Sequence, residues 1–102
     1  MESIADVLIT KGWHQGSIEN PVTGAPCIMG AAEIAVCGEI MHSRYELQPT
    51  DLRYRQLRAA TIALENAAGD PRLAYWNDLP ERTFDEVLRV AKEADAALEG
   101  LS

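Results

Sequence analysis

Long apolar runs are missing from this 102-residue sequence, and with them any window of the ~18 to 20 apolar residues that a membrane-spanning helix needs. Cysteine is scarce. Cys27 and Cys37 are too few for the framework of a small secreted domain, and a reducing compartment leaves them as thiols. The stretch MESIADVLITKGW has an acid at position 2, a short apolar run and no small-residue cleavage site, so it lacks the layout of a secretory signal and the expected location is the cytoplasm. Positive charge is in deficit: nine Lys and Arg against sixteen Asp and Glu leave a net charge of -7, a field that repels a phosphate backbone and argues against nucleic acid as a partner. No segment joins low hydrophobicity to a charge run, and neither repeats nor low-complexity stretches are present. What is present, 47% hydrophobic residues, is enough for the core of a single domain spanning 1–102.

The apolar spacing predicts a mainly α fold, a small bundle of three to four main helices with a short β-hairpin near the N-terminus. Ser3 followed by Asp6 resembles a capping box, and Ile4, Val7 and Leu8 repeat at helical spacing up to Lys11, where Gly12 suits a left-handed stop. Around the turn Asn20-Pro21-Val22-Thr23-Gly24, residues 13–19 and 25–27 read as hairpin strands anchored by Trp13 and Ile18. The run from Ile28 to Cys37 reads as a buried helix whose Gly30, Ala31, Ala32 and Ala35 admit a close neighbour. Its one acid, Glu33, either points outward or needs a partner. Residues 39–49 show no clean period and form the longest expected loop. Thr50 is the expected cap of a third helix, with Asp51 in its first turn, an inward stripe of Leu57, Ala60, Leu64 and Ala67, and Gly69 at its end. Asp70-Pro71 introduces a short helix over 71–75, and Pro80 makes Trp76-Asn77-Asp78 a tight turn leading to Thr83. Thr83 with Glu86 is a full capping box for the last helix, along which Phe84, Val87, Leu88, Ala91, Ala94 and Leu98 keep a 3.6-residue period.

The residue types with chemical potential fall into a few groups. Trp13, His14, Gln15, Trp76, Asn77, Asp78 and Arg82 are the candidate binding residues, with the indoles as stacking walls and Asn77, Asp78 and Arg82 as polar edges; the competing reading makes them a turn and its apolar plug. His14, Cys27, Cys37 and His42 are zinc-ligand types. They lack a Cys-x-x-Cys or His-x-x-x-His spacing, and ten helical positions turn Cys27 and Cys37 about 80° apart, so no metal or other cofactor is expected. Cys27, at the start of a helix, could have a lowered pKa, yet neither it nor a serine sits in a recognisable nucleophile signature, and no catalytic residue is assigned. Arg44, Arg53, Arg55 and Arg58 are the one basic concentration, the last three on a predicted helix, read as a solvated face with a patch for an anionic partner as the alternative. His14, Gln15, Tyr45, Leu47, Tyr54 and Arg55 would make an interaction surface if they converged.

The segments LITKGWHQG, GAPCIMGAAEIA and AYWNDLPERTFDEVLRVAKEA resemble a family of small uncharacterised proteins of actinobacteria and their phages. The likeness rests on Trp13 and Gly16, on Cys27, Gly30 and Ala31, and on Trp76, Asn77, Asp78, Arg82, Thr83, Glu86, Val87 and Leu88. It implies a compact domain in a bacterial cytoplasm, the host's where the chain is phage-encoded, and brings no catalytic roles. The resulting expectation is a non-enzymatic accessory protein of phage or prophage type that binds a protein, of the host in the phage case. The alternative is a small-molecule or catalytic site around Trp13, His14, Trp76, Asn77 and Asp78. Self-association as a homodimer through the Ala-rich helices is a third option.

Overall fold

The order of elements along the chain is helical throughout. The structure, a computed structural model, describes residues 2–41, 48 and 50–100 and contains α1 (Ile4–Lys11), α2 (Ile28–Cys37), α3 (Leu52–Ala68), α4 (Leu73–Asp78) and α5 (Phe84–Glu99). Most of the loop expected over 39–49, including His42, Arg44, Tyr45 and Leu47, lies outside the described residues. Among the described residues no helix is long and apolar enough to cross a membrane. The radius of gyration is 12.5 Å, close to the ~13 Å of a compact chain of this length.

α3 lies along α5, α1 bridges α2 and α5, and α4 closes against α2 and α3. Ile4, Leu8, Ile28, Leu64, Val87 and Val90 fill the centre, each with essentially no exposed surface. Between them sit Ala31, Ala32 and Ala35 of α2, Ala60 of α3 and Ala91 and Ala94 of α5, all buried, so the small-residue faces bring helices of this chain together. The expected stripe of α5 is present with Val90 added to it, whereas Phe84, Leu88 and Leu98 are half-buried at its margins.

Local signals set most of the helix ends. The Ser3 hydroxyl accepts from the Asp6 N–H at 3.0 Å, and Thr83 and Glu86 exchange both bonds of a capping box. Gly38 and Gly69 close α2 and α3 in the left-handed conformation, but Gly12 ends α1 at φ 87° and ψ -172°, a region open to glycine alone, instead of the left-handed helical one. The cap of α3 is Asp51 and not Thr50: its carboxylate accepts from the Arg53 N–H at 2.8 Å and pairs with the Arg53 guanidinium at 3.1 Å.

Two expectations need correction. Residues 13–19 and 25–27 do not pair as strands; they form a single antiparallel bridge between Glu19 and Pro26, flanked by Asn20 N–H to Ala25 O and Cys27 N–H to Ile18 O, and the His14 N–H donates separately to the Pro26 carbonyl at 3.0 Å. The ladder cannot lengthen, because Cys27 is already the cap of α2 and the turn begins at Asn20. Likewise the short helix runs Leu73–Asp78 and not 71–75, so Trp76-Asn77-Asp78 is its last turn and not a turn after it. Pro80 restricts only its predecessor. Leu79 is extended, at φ -58° and ψ 131°, and the helix continues up to that residue.

The least local contact is at the start of α1. The Ile4 and Ala5 N–H groups donate to the two oxygens of Asp95 at 2.9 and 3.0 Å, so a carboxylate from the end of α5 caps a helix about 90 positions away. It satisfies two amides that the helix leaves unpaired and sits at the positive end of its dipole. Replacing Asp95 with Ala is expected to lower stability by about 1 to 3 kcal/mol, and Asn to restore part of that because one acceptor remains. Urea midpoints at unchanged slope measure it, and equal midpoints for the wild type and Asp95→Ala would refute the role.

Candidate functional site

Residues 13–19 form an irregular arm that lies against the C-terminal turn of α4, and the candidate residues meet there. At the centre is the carboxamide of Asn77, fully buried. Its Oδ1 accepts from the Trp13 indole N–H at 2.8 Å and from the Ile28 backbone N–H, the first residue of α2, at 3.0 Å. Its Nδ2 donates to the His14 carbonyl at 3.1 Å and to Asp78 Oδ1 at 2.9 Å. Two donor hydrogens and two acceptor lone pairs are the whole capacity of a carboxamide, so Asn77 has none left.

Its neighbours are engaged in the same task. Gln15 Nε2 donates to the carbonyls of Asn77 and Leu79, both at 2.9 Å, which caps the end of α4 from the side. The Gly16 N–H donates to Asp78 Oδ1 at 3.0 Å. Trp76 is buried, with the Arg82 guanidinium 4.0 Å above its ring, while Arg82 Nε donates to the Trp76 carbonyl and its terminal nitrogen reaches Glu86 Oε2 at 2.7 Å. Trp13, half-buried, lies face to face with Phe84 at a 6.2 Å centroid separation. Five of the seven candidate residues, Trp13, His14, Gln15, Asn77 and Asp78, are therefore joined by hydrogen bonds, and Trp76 and Arg82 form a separate pair next to them along α4. His14 contributes through its backbone only; its ring pairs with Ser17.

The His14–Ser17 contact has the composition of a nucleophile and its base, with His14 Nε2 and Ser17 Oγ 2.9 Å apart. The orienting carboxylate and oxyanion donors that such a pair needs are not among its hydrogen-bond partners in the described residues. The Ser17 hydroxyl also lies 2.9 Å from the Glu19 carbonyl, which competes with the imidazole for its one hydrogen. Cys27 also departs from expectation: its thiol accepts from the Gly30 N–H at 3.4 Å, but its pKa is raised and not lowered. Burial is the largest cause and Asp78 and Glu33 add to it, outweighing the amides at the start of α2. Burial also raises Cys37. Among the described residues, no three His, Cys, Asp or Glu side chains gather as metal ligands.

Two participants were not among the candidate binding residues. Glu33, the acid left open between two orientations, is buried and engaged in a polar interaction. Gly30 is where the arm crosses α2: a Cβ there would stand 2.6 Å from the Ile18 carbonyl oxygen, so the crossing requires glycine. Of the proposed interaction surface, Tyr54 packs against the core, Gln15 is engaged with α4, and Arg55 is exposed.

Beside this cluster the arm, α2 and α4 leave a cleft of about 200 Å³. Ile18, Met29 and Ala74 form its apolar wall, Gly16, Ser17 and Asp78 its polar rim, and Cys27 part of its lining. A wider depression of about 420 Å³ adjoins Leu79, Pro80, Glu81, Arg82 and Glu86, but the cation in it is already paired.

Residues 1–97 match the sequence profile of a family described as a family of unknown function, DUF6197, and the chain belongs to that family. No curated protein and no solved structure matches it.

The cluster makes two predictions. Asn77→Ala leaves two donors and one carbonyl without partners in a buried place, at roughly 1 to 3 kcal/mol each before relaxation, and is expected to destabilise the fold by about 3 to 4 kcal/mol. A urea-derived loss below about 1 kcal/mol would show that the arm is held by something else. The second concerns acid. Glu86 is held below its ordinary carboxylate range, first by the Thr83 backbone N–H, then by the Thr83 hydroxyl and by Arg82. A carboxylate depressed in the folded state contributes stability that is present above its unfolded-state pKa and lost as pH falls through the folded-state value. Glu86→Gln should therefore flatten the acid side of the stability profile relative to the wild type, and parallel profiles from neutral pH downward would contradict this.

Proposed function

We propose that this member of the family acts by binding a protein partner and not by catalysing a reaction. The observation that carries this reading is where the polar groups of the cluster point: the Asn77 carboxamide has all four of its positions filled, the Trp13 indole N–H is spent on it, Gln15 Nε2 donates to two backbone carbonyls, and Arg82 is tied to the Trp76 carbonyl and Glu86. A catalytic site needs groups aimed at a substrate, whereas these are aimed at the fold.

What faces outward supports binding. Val22 is 90% exposed at the tip of the turn that ends the arm, and Ile9 is 58% exposed on α1. On α4, Tyr75 is exposed with the Arg72 guanidinium 4.5 Å from its ring centre, and Arg72 itself is tied to Asp70 at 3.2 Å. A tyrosine stacked by an arginine is a rigid amphipathic element of the kind that anchors interfaces. The resemblance to proteins of actinobacteria and their phages supports a bacterial cytoplasmic protein as the partner, one of the host where the chain is phage-encoded.

One specific observation keeps the small-molecule reading in view, namely the cleft of about 200 Å³. Of the original candidates, Asn77 and Asp78 line it, and the carboxamide of Asn77 is already saturated. Self-association through the Ala-rich helices has less support, since those alanines are buried within this chain.

Affinity capture from actinobacterial lysate, with the tagged chain as bait and mass spectrometry as readout, tests the proposal. The expected result is a specific partner whose recovery falls at least several-fold with the surface variant Arg72→Ala/Tyr75→Ala. Absence of any specific partner, under conditions where a control bait recovers its own, overturns it.

A further inference from the structure

The cleft between the arm, α2 and α4 sets an apolar wall beside a carboxylate, in a chain whose net charge is -7. Asp78 is exposed at that rim, and its Oδ1 already accepts from the Gly16 N–H and from Asn77 Nδ2, while Oδ2 accepts no hydrogen bond. The carboxylate is thus positioned by the fold and retains one open oxygen. Cys27, part of the same lining, feels the Asp78 charge, which adds to the rise in its pKa. The side chains of Ile18, Met29 and Ala74 are apolar and do not compete with Asp78 for an incoming charge.

Resting on the reading of this chain as a protein-binding module, we propose that the cleft receives a lysine side chain projecting from the partner, its methylene stem along Ile18, Met29 and Ala74 and its ammonium at Asp78. The volume of about 200 Å³ suits one extended side chain and not a folded element. A lysine fits better than an arginine because the guanidinium fork is matched by two free carboxylate oxygens and Asp78 has only one; a compact ammonium needs a single acceptor and can place a second donor on the Ser17 hydroxyl at the rim. Stem burial with the charged head held at the mouth is the ordinary behaviour of lysine at apolar surfaces. The overall negative charge draws a basic partner segment toward this face and raises its rate of encounter. The exposed arginines of α3 would call for an acidic partner, and the long-range field of the chain opposes one.

The test is a titration of the ¹⁵N-labelled full chain, followed by amide shifts, with Nα-acetyl-lysine methylamide, with its Nε-acetylated form and with the corresponding arginine derivative. The expected result is saturable shifts confined to Gly16, Ser17, Ile18 and Ala74 with the lysine probe, none with the acetylated one, and at least several-fold weaker binding of the arginine probe. Asp78→Asn keeps the acceptor for Gly16 and removes the charge, and should weaken the lysine probe about fivefold, the ratio that ~1 kcal/mol corresponds to. Ala74→Trp, at an exposed position of α4, fills the channel without touching the carboxylate and should abolish the shifts. Equal response to the acetylated probe, an Asp78→Asn titration matching the wild type, tighter binding of arginine, or no shift at saturating probe overturns the proposal. The two readings separate in the capture experiment: if wild type and Ala74→Trp recover the same partner equally, the lysine site is refuted and protein binding stands, whereas a titrating probe with no recoverable partner removes the protein-binding reading alone.

Discussion

The carboxamide of Asn77 is the one interaction on which the rest of the structure depends. Residues 13–19 have no regular structure, so their backbone groups cannot satisfy one another as they would in a helix or a ladder. The end of α4 supplies the missing partners: Asn77 takes the His14 carbonyl, Asp78 takes the Gly16 amide, and in return Gln15 takes the last carbonyls of α4. The same carboxamide receives the first amide of α2, so the start of one helix, the end of another and an extended arm are fixed by one side chain. A buried carboxamide with one bond missing would cost more than an apolar residue in its place; with all four made it specifies one arrangement.

A second constraint acts on the opposite side of the bundle. Asp95 holds the start of α1 to α5, while the Glu2 amide donates to the Ala35 carbonyl at 3.1 Å, tying the same end of α1 to the last turn of α2. α1 is only eight residues long, too short to be stable by itself, and gains its order from these ties and from burying Ile4, Val7 and Leu8. The alanine-lined contacts between α2, α3 and α5 then bury little area per residue, which makes the polar ties at the two ends of the bundle more important than in a leucine-rich core.

How much of this could be read from the sequence follows from the range of each interaction. The capping box of Thr83 and Glu86, the Ser3 cap, the glycine stops of α2 and α3 and the stripe of α5 involve residues within a few positions of each other, and pattern alone finds them. The convergence of Trp13, Gln15, Asn77, Asp78 and Arg82 was legible as a set of residue types but not as geometry, because the bonds that join arm to helix span more than sixty positions. The hairpin has a good turn in the sequence, but the demand of α2 for a cap at Cys27 ends the pairing after one bridge. The raised pKa of Cys27 shows the same limit, since the lowering effect of a helix start is local and visible, whereas burial and the charge of Asp78 come from the tertiary fold. Asp95 had no signal at all. An aspartate late in an amphipathic helix looks like any solvated acid until another helix begins beside it.

The three consecutive residues Trp76, Asn77 and Asp78 show how one helical turn can serve both fold and surface. Successive side chains on a helix point about 100° apart, so a turn lying against the body of the protein must present some positions inward and others outward. Trp76 and Asn77 are buried and engaged within the protein, whereas Ala74, Tyr75 and Asp78 are exposed. Asp78 lies at the boundary, with one oxygen holding the arm and the other open at the rim of the cleft. The choice between a structural turn and a binding site is therefore made atom by atom and not residue by residue: the contacts that immobilise Asn77 are the ones that hold the Asp78 carboxylate still. A preorganised charge beside an apolar channel loses less entropy on meeting a partner than a mobile one would, and in this fold that preorganisation is supplied by the buried carboxamide next to it.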